Sequence, residues 1–307
     1  MPGLFEDFLF FVLAALGPVW AATYGYRRVT RVAAAERPRA RRSIYRATMV
    51  LQWSLAAAVT GWWLVTGKPW AALGLVPRFN GGAIGVALGT AFVIVYLARQ
   101  RRDVLGDDGA LAEVRERMRH LEPVLPRSPE EMRAFAALAI TAGICEELLY
   151  RGFMIQHLAH FTNLIAAAAI ASVLFGVGHS YQGWRGVQLT GLVGSFLSAV
   201  YLISGSLFMP ILLHVLMDLH SGHLAYVALR REAEIEEERL RDRSAWSVAG
   251  AEGLDQAFSA EPLDGRAVPG ASEQAAAAPS SAHGAGDSEQ AAATPRSTPV
   301  PGGERPA

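Results

Sequence analysis

Apolar residues in this chain gather in long runs instead of the short alternations of a soluble core, and about 20 consecutive apolar residues suffice to cross the hydrocarbon of a bilayer. On that criterion the pattern predicts seven spans: Phe5 to Tyr26, Ala47 to Thr66, Gly81 to Ala98, Phe135 to His157, Leu164 to His179, Gly186 to Ile203 and Leu207 to Leu229. The fifth is short, and Gln188, Thr190 and several glycines weaken the sixth, as in helices that tilt or are shielded by neighbours. The fold class is therefore all-α, a polytopic bundle of about seven transmembrane helices.

The polar stretches between these runs set the organisation. Arg27, Arg28, Arg31, Arg37, Arg39, Arg41, Arg42 and Arg46 stand against one acid, Glu36, between the first two spans, which marks a cytoplasmic loop and puts the N-terminus outside. Alternating from there, the arginines after span three (Arg99, Arg101, Arg102) and after span seven (Arg230, Arg231) also fall on the cytoplasmic side. No basic residue precedes the first span, so it reads as a retained helix and not as a signal peptide.

Four regions follow: residues 1–104 with spans one to three, a cytoplasmic connector over 105–132, spans four to seven over 133–229, and a charged helix extension with a disordered tail over 230–307. In the connector, Leu111, Val114, Met118 and Leu121 repeat at helical spacing with arginines between them. That pattern fits a helix on the membrane surface or an ordinary connecting helix. Ser128, Pro129 and Glu131 read as an N-cap, a first-turn proline and a capping-box acid opening span four. Acids and bases alternate from Arg230 to Arg243 as on a solvated helix. From about Val248 the chain is Ala-, Gly-, Pro- and Ser-rich, too poor in large apolar groups to offset its ordering entropy.

Composition sharpens this picture in two ways. With 51% hydrophobic and only 18% charged residues, the bulk of the chain belongs in lipid, and a formal net charge of zero hides the segregation of arginines into particular loops. The single cysteine, Cys145, excludes an internal disulfide and any CxxC site.

Ionisable residues within apolar spans are expensive and mark function by default. Span four contains Glu146, Glu147 and Arg151. Glu147 and Arg151 are four apart and can pair on one helix face, while Glu146 lies about 100° around the helix and is left available. Span five ends in Phe175-x-x-x-His179, and span seven carries His214 and Asp218, again four apart. At 1.5 Å per residue, Glu146 and Asp218 both fall about 16 Å into their spans, near the midplane, with His179 closer to the cytoplasmic end. A cavity opening toward the cytoplasm is expected. Cys145 reads as a packing residue, His220 and His223 as interfacial residues, and the pairs Gly191/Ser195 and Gly194/Ser198 as small residues that let helix six pack closely.

The order Glu146-Glu147-x-x-x-Arg151, Phe175-x-x-x-His179, His214-x-x-x-Asp218 resembles the CPBP group of intramembrane proteases, which includes the CAAX prenyl endopeptidases and the bacterial Abi proteins. The likeness extends through Ser204 to His214 and covers roughly residues 135 to 222. Tyr150 stands where Phe is common, and Asp218 where eukaryotic members have Asn. The resemblance implies a peptidase in which Glu146 is the general base, His179 holds the attacking water, His214 and Asp218 stabilise the oxyanion or complete the water site, and Glu147 and Arg151 support them. A metal-free mechanism is the expectation. Zn²⁺, held by Glu146, Glu147, His179 and His214, is the alternative, although the spacing is not that of HExxH.

The expected partners are the lipid bilayer and a membrane-anchored protein or peptide cut near its C-terminus, and not nucleic acid. Arg- and Ala-rich usage points to a high-GC bacterium and its inner membrane, where C-terminal sorting signals are more plausible substrates than prenylated CAAX proteins. Competing readings are a non-catalytic scaffold or immunity protein of the same family and a proton-coupled transporter. Intact motif positions oppose the first, and the lack of an inverted repeat opposes the second.

Overall fold

The computed structural model describes residues 3–16 and 25–259. The chain divides into two units, Met1–Ala249 and Gly250–Ala307, and the site lies wholly within the first. Every regular element among the described residues is helical, with no strand: α1 (Leu4–Phe11) runs into a π-helical turn, Val12–Leu16, and α2 (Arg27–Arg31) precedes α3 (Arg37–Val65). Then come α4 (Gly81–Leu105), α5 (Asp108–Met118), a 3₁₀ segment Arg119–Val124, and α6 (Pro129–Glu147), which continues through a π-helical stretch, Leu148–Met154, into α7 (Ile155–Ala159). The last helices are α8 (Leu164–Gly178), α9 (Gly183–Ser204) and α10 (Phe208–Ser259).

Among the described residues, four helical stretches are long and apolar enough to cross a membrane: Ala34–Val65, Gly81–Leu105, Ser180–Ser204 and Phe208–Ser244. Leu164–Gly178 is apolar but shorter. The helical rod from Pro129 to Ala159 fails the same criterion because Glu146, Glu147 and Arg151 lie within it. The expected first span cannot be traced from end to end, since residues 17–24 lie outside those described. On α4, Ile84, Leu88, Phe92 and Val95 face outward and are exposed, as a lipid-facing surface requires.

Helix ends depart from the hydrophobic pattern in identifiable ways. α3 starts ten residues before the expected Ala47, because Arg37 to Arg46 form its first turns instead of a loop. Ser128 caps α6 through Oγ, which accepts from Glu131 N at 3.2 Å. Glu131 does not complete the expected capping box. It is buried, bound to Arg41 at 3.0 Å, and accepts from the Arg127 amide at 2.7 Å. The seventh helix likewise does not give way to irregular chain at Val248 but runs to Ser259, while residues 260–307, the rest of the expected tail, lie outside those described.

The connector helix α5 docks on α10. Arg231 pairs with Asp108 at 2.9 Å, Arg115 pairs with Glu232, and Met118 and Leu121 pack on Leu125, Ala225 and Leu229. The main core joins both halves of the chain: Leu9, Leu13, Ala56, Val59 and Trp63 pack with Leu148, Leu149, Phe153, Met154, Ala171 and Phe175. α8 lies along α9 and α3 lies along α6, the second contact carrying residues of the N-terminal region to the edge of the site.

Candidate active site

The helix carrying Glu146 and Glu147 widens to π-type hydrogen bonding one residue later, over Leu148–Met154. All seven residues of that stretch are buried, Arg151 among them. Such widened turns recur at functional sites because they re-aim side chains without ending the helix.

Glu147 is the electrostatic centre. Its Oε1 accepts from Arg151 Nη1 at 2.7 Å and lies 2.7 Å from His214 Nδ1, so the expected Glu147–Arg151 pair is present and a third residue shares it. The Glu147 and Arg151 side chains are 0% and 1% exposed; a charge pair so desolvated persists only where geometry and further hydrogen bonds compensate it. Arg151 obtains these from Gly194, whose carbonyl accepts from Nη2 at 2.9 Å, and from the Phe175 ring, whose centroid is 4.5 Å from the guanidinium carbon.

Glycine at 194 makes this approach possible. A Cβ there would lie 3.1 Å from Phe175 and 3.4 Å from Arg151. The small-residue reading of helix six holds for Gly191, Gly194 and Ser198, which abut α8, with Ser198 Oγ 3.1 Å from Ser172 Oγ. Ser195 is instead bonded to its own helix at Gly191 O. Gly143 serves the other side, since a Cβ on it would collide with Val215, next to His214.

Phe175 stands between the two histidines. Its ring centroid is 4.8 Å from that of His179 and 6.0 Å, edge-on, from that of His214. His179 Nδ1 lies 2.8 Å from Phe175 O, which leaves Nε2 as its outward atom. His214 is buried, and with Nδ1 directed at Glu147 its Nε2 faces Asp218 Oδ2 at 3.6 Å and Glu146 Oε2 at 3.9 Å. Three of the sequence-derived residues, Glu146, Glu147 and Asp218, thus surround the imidazole ring of a fourth, His214. Asp218 is partly exposed.

Glu146 and His179 also line one cavity of about 230 Å³, whose other walls are mostly apolar and include Leu51, Leu55, Phe135, Leu138, Leu149 and Tyr150. Glu146 is not free, as its position around the helix suggested. Gln52 Nε2 donates to its Oε1 at 2.6 Å. Glu146 Oε2, Glu147 Oε2 and Gln52 Oε1 are buried and have no hydrogen-bond partner among the described residues. Gln52 went unnoticed in the sequence. Its one available signal was an amide within an apolar run.

Among the described residues no group of three or more His, Cys, Asp or Glu side chains is arranged to hold a metal ion, the set Glu146, Glu147, His179 and His214 included. The Nδ1 atoms of both histidines face protein partners, which leaves each Nε2 as the outward atom. Cys145 is fully buried. His220 and His223 point away from the site toward α4, His220 Nε2 lying 2.9 Å from Gln100 Oε1 and His223 Nε2 3.5 Å from Arg101.

Comparison with known proteins adds one positive finding. Residues 128–220 match the Rce1-like family, described as type II CAAX prenyl endopeptidase Rce1-like. The match begins at the Ser128 cap and ends two residues beyond Asp218, so it contains every motif residue and omits Gln52. No curated protein matches the chain, and no solved structure does.

Proposed function

We propose that this chain, which through residues 128–220 belongs to the CPBP/CAAX-protease family, is an intramembrane endopeptidase that hydrolyses a peptide bond near the C-terminus of a membrane-anchored protein or peptide. The observation that carries this reading is the shared cavity. Glu146 and His179 line one apolar chamber, while the neighbouring Glu147 is fully buried and tied to Arg151 and His214. Two adjacent carboxylates therefore have different work.

In this mechanism a water held by His179 Nε2 gives its proton to Glu146 as its oxygen attacks the carbonyl carbon. Glu146 then returns the proton to the leaving amine, so that one acid–base group serves both halves of the reaction. His214, oriented by Glu147 through Nδ1, presents the Nε2–H of its imidazolium to the oxyanion, and the carboxylates around the ring compensate its positive charge. Asp218 completes that side. Arg151, fixed by Gly194 and Phe175, keeps Glu147 in place. No step is routed through a metal.

The bundle reads as seven spans in a bacterial inner membrane, with the N-terminus outside. On that topology Tyr26, Tyr45, Val124 and Phe135, which also line the cavity, lie toward the cytoplasm, and the substrate enters from there. C-terminal sorting signals fit such an entry, and prenylated CAAX peptides are the class named by the family. The test is to compare the C-termini of membrane proteins by mass spectrometry in cells expressing the wild-type chain, Glu146→Gln or His179→Ala. Loss of a set of processed C-termini in both variants supports the reading, and unchanged processing in both contradicts it.

A further inference from the structure

We infer that Gln52, on α3, is a positioning residue for Glu146, an inference that rests on the protease reading above. The two residues are 94 apart in sequence, and Gln52 lies outside the segment that matches the family. Its side chain is buried where α3 packs along α6, next to a second contact between the same helices, Trp53 Nε1 to Thr141 Oγ1 at 3.3 Å. A buried amide in an apolar helix is costly unless it is paired, and the partner here is the 2.6 Å bond to Glu146 Oε1. That bond fixes one carboxylate oxygen and leaves Oε2 for the cavity and for His214 Nε2.

An amide suits a base that cycles its proton. Its NH₂ donates to the carboxylate, and its carbonyl, Oε1, which has no partner among the described residues, accepts from the carboxylic acid. Neither a hydroxyl on a shorter side chain nor a lysine, which only donates, offers both at this reach. Gln52 thus holds Glu146 in one orientation before and after it takes the proton from water. The N-terminal helices thereby contribute to the chemistry and not only to the bundle.

The test uses full-length protein in detergent, with an internally quenched peptide ending in farnesylated Cys-a-a-X and a second ending in an unmodified apolar segment. On whichever peptide the wild type cleaves, Gln52→Leu, which keeps volume and loses both hydrogen-bonding groups, lowers kcat by roughly 10- to 100-fold, the range expected for losing a hydrogen bond to a charged group. KM stays within about twofold, as for an interaction used in the chemical step. A second readout needs no turnover. The infrared carboxylate band assigned to Glu146 by its loss in Glu146→Gln moves in Gln52→Leu. An unmoved band together with unchanged kcat overturns the assignment of Gln52 alone. Wild-type protein that cleaves neither peptide overturns the protease reading instead, and cleavage that survives Glu146→Gln overturns the role of Glu146 as base.

Discussion

His214 Nδ1 and Arg151 Nη1 meet the same atom, Glu147 Oε1, each at 2.7 Å, so the first and third motifs are joined through a carboxylate that is itself fully buried. This shared oxygen gives the two adjacent glutamates different surroundings. One anchors the arginine and orients the histidine, which leaves the other to face the cavity.

Removing the arginine exposes that dependence. Arg151→Leu leaves a buried carboxylate without its compensating cation, and the cost is about 3–5 kcal/mol. Thermal unfolding of the purified variant in detergent should show a lowered midpoint, with activity lost even at temperatures where it remains folded.

Crowding the arginine has a milder effect of the same kind. In Gly194→Val the added Cβ comes within 3.1 Å of Phe175 and 3.4 Å of Arg151 before the branches are counted. The expected cost is about 1–3 kcal/mol. Activity should fall more than stability, because His214 is displaced through Glu147. Kinetics and thermal unfolding on one preparation check this.

The docking of α5 should depend on pH. The Asp108 carboxyl is held below its ordinary range by hydrogen bonds from Arg231 and by that residue's charge. A folded value below the unfolded one means that the contribution is present above about pH 4, the ordinary Asp value, and is lost as pH falls through the lowered folded value. Amide exchange over Asp108–Met118, corrected for its intrinsic pH dependence, should therefore rise at about pH 3 relative to pH 6. Asp108→Asn should show the faster exchange at both.

Much of this site was legible because its key pairs lie within single helices. Glu147 with Arg151, and His214 with Asp218, are four residues apart, and that spacing alone brings them to one face. Contacts between helices were not legible. Nothing near Gln52 announces a partner 94 residues away, and the bond from Glu147 to His214 depends on how α6 and α10 pack. The widened turn at Leu148–Met154 is equally silent, since Gly152 is its one poor helix former and a lone glycine does not specify a π-type turn. Helix boundaries failed where charge and hydrophobicity disagree. The arginines that mark the loop before span two are also good helix formers, and they extend α3.

Metal dependence is checked by removal. On the metal-free reading, dialysis against a chelator should leave activity in place. Loss of activity that returns with Zn²⁺ would contradict the metal-free mechanism.

The most direct measurement compares Glu146→Gln with Cys145→Ala in purified full-length protein, on the peptide that the wild type cleaves. If Glu146 is the base, Glu146→Gln loses about 10²- to 10⁴-fold in kcat while Cys145→Ala stays within about threefold. A Glu146→Gln variant close to wild type, or a Cys145→Ala variant without activity, contradicts the account.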